Sequence, residues 1–89
     1  MPSAMPTDDE QVLTLARGIE RYLEKHPNAA DSLEGIQRWW LIRHRYAEDT
    51  LQVEQALELL IAKGIVVRRI LPDGRAVYSG RKAESNQGL

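Results

Sequence analysis

At Lys63-Gly64 the sequence changes period, and that change restricts the chain to a helical part followed by a short β element. Upstream, Val53, Ala56, Leu57, Leu60 and Ile61 recur at the i, i+3, i+4, i+7 spacing of an amphipathic helix that begins between residues 47 and 50. Gly64 is the expected stop, because glycine accepts the left-handed backbone of a C-cap, and Lys63 then lies at the negative end of the helix dipole. Downstream, Ile65-Val66-Val67-Arg68-Arg69-Ile70-Leu71 is rich in β-branched residues and too short for another helix, and Arg75-Ala76-Val77-Tyr78-Ser79 matches it as a partner strand. Pro72-Asp73-Gly74 joins the two as a hairpin tip: proline presets φ, aspartate bonds its own turn, and glycine accepts positive φ. With Gly74 at the bulge position of a three-residue loop, Leu71 lies opposite Arg75 and Arg69 opposite Val77. Neither face of the hairpin is then cleanly apolar.

Two more helices precede this unit. Val12, Leu15, Ala16, Ile19, Tyr22 and Leu23 form one apolar stripe from residue 10 onward, and His26-Pro27 ends it, since proline disfavours a helical residue before it and has no N–H to offer. A second helix is expected from Asp31, with Glu34 completing a capping box, to about Leu41. Its inner stripe is Leu33, Ile36 and Trp40 with Leu41 flanking, and Gly35 weakens it unless something packs closely there. Adjacent tryptophans on one helix cannot both face one core. Trp40 continues the stripe; Trp39 is expected to pack on the first helix or beneath the hairpin, or alternatively to stand exposed as an anchor for a partner. Residues 1–9 and 83–89 are polar or rich in Pro, Ser and Gly and are read as flexible ends, leaving 10–82 as one domain.

Size and composition narrow the function classes. Eighty-nine residues sustain one modest core, so a two-domain enzyme is excluded. With no cysteine there is no disulfide, thiolate nucleophile or Cys-ligated zinc, and His26 and His44 lack the sequence neighbours of a zinc site. Nucleotide-binding glycine loops and hydrolase or metalloprotease motifs are missing as well, so neither a catalytic role nor a cofactor is expected. Apolar runs do not exceed four residues, and the N-terminal residues lack the pattern of a signal peptide; a cytoplasmic protein with no membrane association is expected. The net charge of −1 conceals a division: residues 1–35 carry three cations against seven carboxylates, and residues 36–82 carry nine against five. A local positive field of this kind can attract polyanions whatever the whole-chain balance.

Three short helices followed by a hairpin, with Thr50-Leu51-x-Val53-x-x-Ala56-Leu57-x-x-Leu60-x-x-Lys63-Gly64-Ile65-Val66 running into Pro-Asp-Gly-Arg, resemble the winged helix-turn-helix family over residues 10–81. The resemblance implies a helix-dominated α+β fold, a three-helix bundle with a C-terminal wing, and a short strand near residues 28–30 that pairs with the hairpin. It also implies duplex-DNA binding and a role in transcription regulation. Carried over by position, the third helix would present Thr50, Gln52, Glu54 and Gln55 to the groove, the wing would supply Arg68, Arg69 and Arg75, and Arg43, His44 and Arg45 would contact phosphates. Arginine suits that task, being always charged and multidentate toward phosphate. Against it, Glu48, Asp49, Glu54 and Glu58 place four carboxylates along the third helix. Winged helices also serve as protein-binding modules, and in that alternative Trp39, Arg43, Glu54 and Glu58 contact another protein. Any homodimer is expected to form through the first helix.

Overall fold

The computed structural model describes residues 8–42 and 49–81. Helix α1 spans Asp8–Lys25, strand β1 Ala30–Asp31 and helix α2 Leu33–Gly35; α2 runs directly into a π-helical segment, Ile36–Trp40. Helix α3 spans Thr50–Ala62, and strands β2, Val66–Ile70, and β3, Ala76–Gly80, form the hairpin. The three strands make one antiparallel sheet in the order β1-β3-β2. The fold is therefore helix-dominated α+β. The added strand lies one to two residues later than expected, with Ala30 opposite Ser79 and Asp31 opposite Tyr78.

The core forms where the apolar stripes of the three helices meet beneath the sheet. Leu15, Ala16, Ile19 and Leu23 of α1 pack with Ile36, Trp40 and Leu41 and with Val53, Ala56, Leu57 and Leu60 of α3; Val66 and Tyr78 close the core from the hairpin. The stripe of α1 is thus used internally, and Leu13 is its one exposed large aliphatic residue. Tyr22 is half-buried and stacks on the Trp40 indole, with centroids 4.9 Å apart and planes 11° from parallel.

The second helix departs from its sequence reading in two ways. Ser32 caps it instead of Asp31, its hydroxyl accepting from Gly35 N at 3.2 Å, while Asp31 is paired into β1 and its Oδ1 accepts from Ser32 N at 2.8 Å. After Gly35 the chain widens to i→i−5 bonding, with Leu41 N donating to Ile36 O at 3.0 Å. That turn lays Leu41 over Ile36, so Ile36, Trp40 and Leu41 are all buried. Trp39 falls outside this set and is 62% exposed, so it packs neither on α1 nor beneath the hairpin.

The end of α3 follows the sequence closely. Ile65 N donates to Leu60 O and Gly64 N to Ile61 O, the paired bonds of a Schellman cap, with Gly64 at φ +78°. Gly64→Ala is expected to cost about 1–2 kcal/mol, because a side chain in the left-handed region crowds the following carbonyl, and a thermal melt checks it. The expected hairpin register is also present: Arg69 lies opposite Val77, Leu71 N donates to Arg75 O at 2.8 Å, and Gly74 takes φ +90°. Its inner face is apolar only where α3 covers it. Val66 and Tyr78 are buried, whereas Arg68 and Ile70, farther out on the same side of β2, are exposed.

Candidate partner-binding face

Because Asp49 caps α3, its Oδ1 accepting from Gln52 N at 3.2 Å, the start of that helix is fixed in register. Asp49→Ala is expected to cost about 1 kcal/mol, read from chemical denaturation. At its exposed N-terminal end, Thr50 Oγ1 accepts from Gln37 Nε2 at 3.2 Å, tying α3 to the π-helical segment. The register leaves Leu51, Glu54, Gln55 and Glu58 as a solvent-facing stripe, one side chain per turn or closer. Gln52 is turned the other way. At 6% exposure it sits beside Val53 and one turn from Ala56 on the buried side, so the expected groove contact by Gln52 is corrected: a side chain held there cannot reach a base edge.

The hairpin supplies the opposite wall. Arg68 projects from the inner face of β2 toward α3, and its Nη1 meets Glu58 Oε2 at 2.5 Å. This bond to Glu58, followed by one to the Tyr78 hydroxyl, raises the guanidinium above its already high ordinary pKa. Arg68 is a cation with a carboxylate partner at the groove wall, both side chains partly open to solvent. Between the two walls lies a groove of about 400 Å³ lined by Leu51, Glu54, Gln55, Glu58, Arg68 and Tyr78.

Of the expected arginines among the described residues, only Arg68 lines this groove. Neighbouring residues of a strand point to opposite faces, so Arg69 lies on the outer face of the hairpin with Val67, away from Arg68. Arg75 is exposed at the tip, where its Nε donates to Asp73 Oδ2 at 2.7 Å and its backbone N to Asp73 Oδ1 at 3.0 Å. Arg43, His44 and Arg45 lie outside the described residues. Trp39 and Ile42 are both largely exposed at the end of the π-helical segment. What sequence reasoning missed is the groove itself, since Glu58 and Arg68 are ten residues apart and only the packing of α3 on β2 brings them together.

A second depression, about 390 Å³, lies between the C-terminal half of α1 and the α3–β2 join, with Glu20, Glu24 and Arg81 at its rim over Leu23 and Ile65. Among the described residues, no cluster of three or more His, Asp and Glu side chains could hold a metal, and no helix is long and apolar enough to cross a membrane. In comparisons with known proteins, no family model, curated protein or solved structure matches the chain.

Proposed function

We propose that this chain is a winged-helix-type module that binds another protein through the face formed by α3 and the hairpin. The winged-helix reading is supported by the order of three helices, short strand and hairpin, and by a sheet in which β3 lies between β1 and β2. The observation that carries the choice of partner is the Arg68–Glu58 pair. A phosphate approaching the groove meets Glu54 and Glu58, and Arg68, the one arginine on its wall among the described residues, is already paired with Glu58. Each such approach is repulsive and desolvates a carboxylate, whereas a protein surface can offer cations and apolar groups. The exposed Trp39 supports the same choice, because large rigid aromatics contribute most per residue to protein interfaces.

The alternative, a duplex-DNA-binding transcriptional regulator, is favoured by a different observation, the exposure of Arg69 and Arg75 on the hairpin. Both readings are tested by photo-crosslinking in the native cell with benzoylphenylalanine at position 55, at position 39, and at position 17 as a control on α1. The protein-module reading expects a discrete protein adduct from positions 55 and 39 that position 17 does not give. Adducts to nucleic acid, or equal labelling from position 17, would overturn it.

A further inference from the structure

We infer that the α3–hairpin groove receives a cationic segment that also carries an aliphatic side chain, with a Lys or Arg of the partner on Glu54 and the aliphatic group against Leu51. The inference rests on the protein-module reading and adds the chemistry of the partner. Charge complementarity selects the cation. Among the described residues two glutamates and one arginine line the groove, and Arg68 is bound to Glu58, so the charge left over there sits on Glu54, which has no ion-pair partner among the described residues. Glu54 is one helical turn before Glu58 on the same stripe, so a second cation can join the row without displacing Arg68.

The same geometry disfavours an acidic segment. Its carboxylate would meet two glutamates, and at Arg68 it would compete with Glu58, which already accepts from Nη1. Apolar contact comes from the α3 wall. Leu51 is 62% exposed one turn before Glu54 and lines the groove with it. The carboxylate thus stands beside an aliphatic surface, in a volume suited to one long side chain and part of a neighbour. A lysine or arginine stem lying on Leu51 while its head reaches Glu54 uses both features at once.

The test is an amide-shift titration of the full chain with the hexapeptide Gly-Leu-Lys-Leu-Arg-Gly, beside one version with both cations replaced by glutamate and one with both leucines replaced by serine. Shifts confined to residues 51–58 and 68–78 are expected with the parent peptide, and none with the glutamate version. Glu54→Gln is expected to weaken binding about fivefold, as for loss of one partly exposed charge pair, and Leu51→Ser by a similar factor. Both residues are exposed, and an unchanged circular dichroism spectrum establishes that each variant folds. Equal binding of the serine peptide, equal shifts around Glu20 and Glu24, or insensitivity to Glu54→Gln would each overturn the inference. Peptide failure with a protein adduct still formed from position 55 would leave the module reading intact and remove only the cationic partner. Failure of both would remove the reading as well.

Discussion

Trp40→Ala is expected to destabilise the fold by about 3–5 kcal/mol, while Trp39→Ala changes stability by less than about 0.5 kcal/mol. The two indoles are neighbours in sequence, and only their surroundings differ. Trp40 is 6% exposed, stacks on Tyr22 and packs with Ile36 and Leu41 in the core, so its removal loses transfer energy, leaves a cavity and ends an aromatic pair worth about 0.5–1.5 kcal/mol. Against a typical total of about 5–15 kcal/mol, that loss leaves a large fraction of molecules unfolded at moderate temperature. Trp39 keeps most of its surface in water and loses little by truncation. Urea denaturation of the two variants checks the difference, and acrylamide should quench the fluorescence of a Trp40→Phe variant strongly and that of a Trp39→Phe variant weakly. Equal losses of stability would contradict the placement of the indoles.

Gly35→Ala separates two effects of opposite sign. Helix propensity favours alanine by up to about 1 kcal/mol. Sterics oppose it: a Cβ at Gly35 would stand 1.9 Å from Asp31 Oδ1 and 2.1 Å from Asp31 Cγ. Clearing that overlap requires the Asp31 carboxylate to leave, and with it goes the bond from Ser32 N that holds β1 to the start of α2. Loss of this part-buried hydrogen bond and of the packing against Asp31 offsets the gain in propensity, and a net loss of up to about 1 kcal/mol is expected. Adding Asp31→Ala to Gly35→Ala should recover much of it, giving a coupling of about 1–2 kcal/mol in a double-mutant cycle. Stabilisation by Gly35→Ala alone would show that Asp31 does not occupy this position.

Much of the fold was legible because it depends on local chemistry. The stripe from Leu15 to Leu23, the stop at Gly64 and the pairing of Arg69 with Val77 each follow from spacing or from a backbone conformation that one residue type supplies. The π-helical turn was not legible. A stripe of Ile36 and Trp40 fits an α-helix, and burial of Leu41 as well requires an i→i−5 bond that no local signal marks. The cap moved from Asp31 to Ser32 because Asp31 is drawn into β1 by Tyr78, a partner forty-seven residues away. At the candidate site, the identities of Glu54, Glu58 and Arg68 were visible, but their mutual arrangement was not. Gln52 reads as a surface residue by type and is buried by its place on α3, and the consecutive arginines Arg68 and Arg69 read as one basic patch until strand alternation sends them to opposite faces.

On the proposed reading, the α3–hairpin groove presents carboxylate and aliphatic groups to a protein partner and does not grip phosphate. An amide-shift titration with mixed-sequence duplex DNA, at low and at near-physiological salt, tests it most directly. No salt-sensitive shifts are expected at Leu51, Glu54, Gln55 or Glu58 of the unaltered protein, and they are expected in a Glu54→Gln, Glu58→Gln double variant, where Arg68 is released and the groove becomes cationic. Salt-sensitive shifts of the unaltered protein along α3 and at Arg68, Arg69 and Arg75 would contradict it and establish a DNA-binding face.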